Sequence, residues 1–480
     1  MSASPKSLEN EFTEFRLLID GRQVPGASRM DVINPATGKP LLQCPRADRA
    51  QLDEAVAAAK AAFPGWSRRP WEERRVMLVA LADALIARQD EFARLLTLEQ
   101  GKPLMQAQFE IGGAIAMIQA FTQMKIEPKV LREDATQKIV QLRAPLGVVA
   151  AITPWNFPMI LLMIKLAPAL ISGNTVVAKP APTTPLTTLK FGELAASILP
   201  PGVLNVITDQ NDLGGALTQH PDVAKVAFTG STATGRKVMA SVAGTLKRIT
   251  LELGGNDAAI ILPGVSAKEI APKIFFGAMI NAGQVCLAIK RVYAHESIYE
   301  ELCAELAKLA DGAVVGDGLD PKTEIGPVQN KAQFEKVKEF IADGRAHGRV
   351  IAGGKVSESG GYFVSPTIVR DIPDDARLVR EEQFGPVTPV LKYRDLDDAI
   401  ARANGTEYGL GGTVWGNDLA QAYEVAARMD SGTVWVNKHL DLPPDIPFAG
   451  AKQSGLGTEM GHEGLEEFTQ LKVIHVAKSA

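Results

Sequence analysis

The stretch GVVAAITPWNFPMI, residues 147–160, runs from a β-branched apolar segment through Pro154-Trp155-Asn156-Phe157-Pro158 into an apolar segment with no further break. Short strand-like runs of the same kind follow as far as residue 262: NTVVAKP, LNVIT, KVAFTG, ITLEL and AAIIL, each trailed by turn residues and most by a helical pattern. Continuous apolar strands alternating with helices predict a parallel sheet covered on both faces, so the fold class is α/β. A second alternating region runs from about 289 to 437, with RVYAHE, GRVIAGG, FVSPTIV, VTPVLKY and GTVWVN as its strands. Two α/β units, each with its own sheet and a cleft between them, are expected. Upstream, a β-like start at FRLLIDGRQV gives way to apolar residues at three- and four-residue steps, which predicts that the first third is mostly helical.

A chain of 480 residues, 46% hydrophobic and 22% charged, has room for two or three packed units and the composition of a globular enzyme. The formal charge of −4 offers no basic footprint for nucleic acid or an anionic membrane surface. PMILLMIKLAPALI, the longest apolar run, is interrupted by Lys165 and is too short to span a bilayer. MSASPKSLENEF lacks the pattern of a signal peptide. Three widely spaced cysteines, Cys44, Cys286 and Cys303, argue against a disulfide framework and for the cytoplasm. No metal-ligating cluster is expected.

Four segments depart from plain core-and-surface patterning. In ITPWNFPMI two prolines fix the backbone around Asn156, which either caps the following helix or presents its amide to a ligand. In KVAFTGSTATGRKV a strand runs into Gly230, Ser231 and a helix, a place where free N–H groups favour phosphate, although an unliganded capped helix reads the same. ITLELGGND puts Glu252 at the carboxyl end of an apolar strand, as a ribose ligand, a general base or a charge at an exposed strand end. NAGQVC places Cys286 in a loop of small and polar residues, as an exposed nucleophile near backbone N–H donors or as a structural thiol. Cys303, in ELCAELAKLA, fits an apolar helical stripe, and Cys44 also reads as structural.

TPWNFP, FTGST, LELGG, GQVC, EEQFGPV and PFAGAKQSG occur in that order along almost the whole chain, and together they resemble the aldehyde dehydrogenase superfamily over roughly residues 15–478. The resemblance implies a Rossmann-like dinucleotide-binding domain (1–125 and 146–253, with 441–465 returning to it) and a second α/β catalytic domain (254–440). It also implies a small β oligomerisation element (126–145 and 466–480), in a homodimer or homotetramer. Cys286 is then the nucleophile, Glu252 the general base and Asn156 an oxyanion donor. The chemistry needs these types: an aldehyde cannot expel hydride until a thiolate has added, and the thioester that follows is released only by an activated water. An oxyanion donor is typically worth about 3 kcal/mol in the transition state. Lys165 is a candidate to relay the proton, a snorkelling surface lysine being the competing reading.

The cofactor implied is NAD, with NADP accepted. Gly230 and Ser231 would hold its pyrophosphate, Lys179 the adenine ribose and Glu382 the nicotinamide ribose, with Phe384 beside the nicotinamide. Further contacts are expected at Ile152, Thr153, Pro154, Trp155, Pro182, Phe228, Thr229 and Gly254. Two positions leave the family's commoner pattern: Pro182, where many relatives have Glu, and Ala449, where Gly is usual. Expected pocket walls are Met159, Leu161, Ile164, Val285, Leu287 and the loop HLDLPPDIPF. Their apolar character favours an uncharged aliphatic or aromatic aldehyde over a semialdehyde. Asp441 or Asp445 would instead suit an amino-aldehyde. A CoA-acylating relative is disfavoured by Glu252, a catalytically idle relative by the intact set, and a cysteine hydrolase by the want of a partner for His295.

Overall fold

In the computed structural model, which describes residues 14–357 and 360–478, two large sheets lie side by side. The N-terminal stretch read for a signal peptide, and the last two residues of the expected oligomerisation segment, lie outside the described residues.

The first sheet has five parallel strands at its centre: β1 (Val148–Ile152), β2 (Thr175–Lys179), β3 (Leu204–Val206), β4 (Val223–Thr229) and β5 (Arg248–Glu252), in spatial order β3-β2-β1-β4-β5. All five residues of β1 and of β2 are buried, which is why these runs are β-branched without alternation. Antiparallel strands close both edges: Leu17–Ile19 beside β3, and Gly455–Leu456 beside β5. The helices that matter to the cleft are α1 (Leu104–Gln123), α2 (Pro158–Ile171), which follows β1, α3 (Thr232–Ala243), which follows β4, and α4 (Lys331–His347) in the second unit.

The second sheet has seven strands in the order Arg349–Ala352, Thr367–Arg370, Val387–Tyr393, Arg291–His295, Ala258–Ile261, Gly411–Trp415, Thr433–Val436, parallel except at the first. Along Ala258–Leu262 alternate residues enter different cores: Ala258, Ile260 and Leu262 one, Ala259 and Ile261 the other. The run AAIIL therefore belongs at the centre of the second sheet, although in sequence it continues the first alternation. Several strands are absent from the sequence-based list, two regions among them being sizeable. Ser28–Asn34 and Lys39–Arg46 form a hairpin within the segment expected to be helical, and Gly411–Trp415 is a fully buried strand. A third sheet joins Lys129–Glu133, Gln137–Pro145 and Thr469–Ala477.

Candidate active site

Both sheets turn loops toward a cleft of about 180 Å³ lined by Pro154, Trp155, Asn156, Thr229, Gly230, Ser231, Leu253, Gly254, Cys286, Gln333, Lys336, Glu382 and Phe384. The first sheet contributes the carboxyl ends of β1, β4 and β5, where open α/β sheets place ligands.

Cys286 follows a turn in which Asn281 (φ 53°) and Ala282 (φ 54°) take left-handed backbone before Gly283 (φ 70°). A Cβ on Gly283 would stand 2.3 Å from the Gly385 carbonyl oxygen, so the loop abuts the Phe384 loop without room for a side chain. The thiol is partly accessible, yet burial pushes it up to about 12, opposed by the nearby Lys290 ammonium. Lys290 donates to the carbonyls of Val285 (2.9 Å) and Cys286 (2.6 Å) from beneath the loop. The thiol, read from the sequence as exposed, is only partly so, and its surroundings favour the neutral form.

Asn156 does not cap α2; the helix has Phe157 at its N-cap position and no side-chain cap of its own. Its amide nitrogen instead donates to the Gln284 carbonyl (3.0 Å), two residues from Cys286, and its Oδ1 has no protein partner. Two donors hold the Asn156 carbonyl, Lys102 Nζ (2.9 Å) and Asn281 Nδ2 (3.0 Å).

Glu252 ends β5 opposite Thr229, is 5% exposed, and neither carboxylate oxygen has a protein partner. Its pKa is raised well above the ordinary carboxylate range, by burial first and by the negative Glu459 second, with Lys165 pulling the other way. The exposed strand end weighed for it is excluded. Lys165 does not snorkel: it is fully buried in α2 and ion-paired with Glu459. No sequence signal in either segment marked that partner.

The glycine pair after Glu252 is a matter of clearance. A Cβ on Gly254 would lie 2.6 Å from Glu382 Oε2, and one on Gly255 would lie 2.6 Å from the Cys286 carbonyl oxygen. Gly255 donates its N–H to Glu382 Oε1 (2.9 Å), and burial raises the Glu382 pKa. Trp155 meets Phe384 edge to face at 5.2 Å between ring centres. Gln333 and Lys336 of α4, which sequence reading missed, hold the carbonyls of Phe384 and Glu382. Ser231 caps α3, and Gly230 bonds through its N–H to the Glu252 carbonyl.

Ile152, Thr153 and Phe228 sit behind the cleft on β1 and β4 and are buried; Pro182 is half-buried on the loop after β2. Lys179, at the end of β2, is no free cation: its ammonium lies 2.6 Å from Asp209, whose other oxygen accepts the Leu213 N–H. Met159, Ile164, Val285 and Leu287 share one apolar core, against which Phe157, Leu161, Leu440, Leu442 and Cys286 pack. His295 caps the following helix through Ser297 and has no thiol partner. His439 is bonded to the Leu287 carbonyl and is driven down to about 4, chiefly by burial. Asp441 is paired with Lys438. Cys44 and Cys303 are buried. Among the described residues no group of three or more His, Cys, Asp or Glu is placed to hold a metal, and no helix is long and apolar enough to cross a membrane.

Comparisons with known proteins agree with this geometry. The chain is 38% identical to a phenylacetaldehyde dehydrogenase of Pseudomonas fluorescens over 99% of both sequences. An NAD+ complex of an aldehyde dehydrogenase from Bacillus cereus superposes with a TM-score of 0.96 at 35% identity, over the whole of both chains. An NADP-dependent enzyme of E. coli does so with a TM-score of 0.95 at 36% identity, over 98% of this chain and 99% of that one. The profile of the Aldehyde dehydrogenase family matches residues 23–474, and the chain, an α/β protein with this cleft, belongs to that family and is an enzyme.

Proposed function

We propose that this enzyme oxidises an uncharged aliphatic or aromatic aldehyde to the carboxylate, with NAD as working cofactor and NADP also accepted. The observation that carries the reading is that a thiol and an amide, Cys286 and Asn156, line one cleft, while the unpartnered buried carboxylate of Glu252 immediately precedes its lining residues Leu253 and Gly254 and acts on the Cys286 thiol.

The cleft fits a dinucleotide. Gly230 and Ser231 open a twelve-residue helix whose first N–H groups suit a pyrophosphate, and the buried hydroxyls of Thr153 and Thr229 have no protein partner. Glu382, held against Gly255, is placed for a ribose hydroxyl, with Phe384 and Trp155 as apolar walls. When bound, the nicotinamide supplies the hydride acceptor. Cys286 Sγ adds to the carbonyl carbon, the C=O π pair moves to oxygen and the thiol proton passes to water in the cleft; Asn156 Nδ2 donates to the oxyanion that forms. Loss of hydride from that carbon leaves a thioester on Sγ. Glu252, its pKa raised by burial, takes a proton from the attacking water, and the carboxylate departs as Cys286 is released. The Lys165–Glu459 pair acts electrostatically on Glu252, which supports Lys165 as the candidate relay for that proton.

An uncharged substrate suits the walls. Lys165 is already neutralised by Glu459, His439 is uncharged at neutral pH, and Asp441 is engaged by Lys438. The proposed division follows the sheets: residues through 125, 146–253 and 441–465 for the cofactor, 254–440 for catalysis, and the third sheet for assembly as a homodimer or homotetramer. A cytoplasmic setting suits a thiol nucleophile. The test is absorbance of reduced cofactor with NAD and an aldehyde panel, with and without CoA. Carboxylate is the expected product irrespective of CoA; no signal with any aldehyde overturns the reading.

A further inference from the structure

We propose that Lys102 and Glu110 are a buried positioning pair that sets the direction of the Asn156 amide toward Cys286, an inference that rests on the roles proposed above for those two residues. Both side chains are fully buried, and a buried ion pair has to overcome the desolvation of two charges, so it is a weak device for stability alone. What this pair holds is one turn. The Lys102 ammonium donates to Glu110 Oε2 and to the Asn156 carbonyl (2.9 Å), and it lies 3.6 Å from the centre of the Phe157 ring. Glu110 turns its other oxygen to the N–H groups of Met159 (2.8 Å) and Ile160 (3.4 Å), capping α2 from α1. Residues 156, 157, 159 and 160 are thus pinned by two side chains from outside their own segment.

The same turn is latched to the nucleophile loop. Asn281 Nδ2 shares the Asn156 carbonyl with Lys102, and Asn156 Nδ2 reaches the Gln284 carbonyl. Donors in a catalytic site have to be held to within about 0.5 Å of productive geometry, and Asn156 has no helical hydrogen bond to do this. Lys102 touches neither thiol nor cleft, so its effect is transmitted through Asn156.

The test uses the full-length enzyme with Lys102→Met and Glu110→Gln, each alone and combined with Asn156→Ala. The readouts are the rate of the first burst of reduced cofactor, the cofactor KM and the melting temperature. Lys102→Met should slow the burst ten- to hundredfold with cofactor KM changed less than threefold, and Glu110→Gln should slow it at least fivefold. In the Asn156→Ala background neither should cost more than threefold further, because the group they orient is gone. Equal losses in both backgrounds, a change confined to cofactor KM, or a wild-type burst in Glu110→Gln overturns the proposal. If Lys102→Met does not fold, Glu110→Gln, which keeps an acceptor for the Met159 N–H, decides by itself. Failure of the underlying reading looks different: Asn156→Ala alone would then leave the burst rate intact.

Discussion

Cys286 carries a chemical tension, a nucleophile whose ordinary state is the neutral thiol. Burial holds its pKa well above the ordinary thiol value, so the proton has to leave as the carbon–sulfur bond forms. Cys286→Ala should abolish oxidation of every aldehyde. It should leave stability within about 1 kcal/mol, since the side chain is partly exposed, and melting curves with cofactor titration would show the fold intact. Glu252→Gln should still give a burst of reduced cofactor near one per site in stopped flow, then a slow phase. Glu252 acts as a base only when ionised, and its pKa is raised. Thioester release in the native enzyme should therefore weaken as pH falls through that raised value, an inflection the Gln variant should lack. At the cofactor end, proline at 182 neither binds ribose hydroxyls nor repels a 2′-phosphate. Lys179 nearby is neutralised by Asp209 and so adds little attraction for that phosphate. The expected preference for NAD is tenfold to a hundredfold, about 1.4–2.8 kcal/mol. Asp209→Asn should narrow it, read as kcat/KM for both cofactors at saturating aldehyde.

Strand ends and tight turns do most of the positioning. At the β5 terminus two glycines let the chain pass between the Glu382 carboxylate and the Cys286 carbonyl, so Gly254→Ala should displace Glu382 and raise cofactor KM at least tenfold. Steady-state kinetics at varied NAD checks this, with circular dichroism to confirm unchanged secondary structure. The parallel strands were legible because burial on both faces writes them as unbroken β-branched runs, and the cleft followed from where those runs end. The strand Ser28–Asn34 was not, since only Met30 and Val32 in it are buried. Gly411–Trp415 begins with two glycines, which mark turns more often than central strands. AAIIL was recognised as a strand but tied to the wrong neighbours, because sheet membership is settled by pairing over long sequence separations. The buried cations were the least legible. Lys102 finds the Asn156 carbonyl 54 residues away and Lys165 finds Glu459 294 residues away, and nothing local distinguishes either from a surface lysine.

Over the whole molecule, the third sheet is unlike the other two: from Gln470 to Ala477 its last strand is exposed, with Leu471, Val473, Ile474 and Val476 open alongside Val130 and Leu131. Apolar side chains on both faces of so thin a sheet suit the assembly proposed above, in which a second copy covers them. Val473→Asp should shift the assembly toward smaller species in sedimentation velocity at micromolar concentration, and an unchanged sedimentation coefficient would count against this role. The C-terminal segment also reaches back to the chemistry. Gly455–Leu456 pairs with β5, Leu253 bonds to the Ser454 carbonyl, and Glu459 takes up Lys165. Translation delivers Cys286 and Glu252 well before these partners, so a growing chain on the ribosome, or one released early, has a thiol and a carboxylate with no edge strand beside β5 and no counter-ion for Lys165.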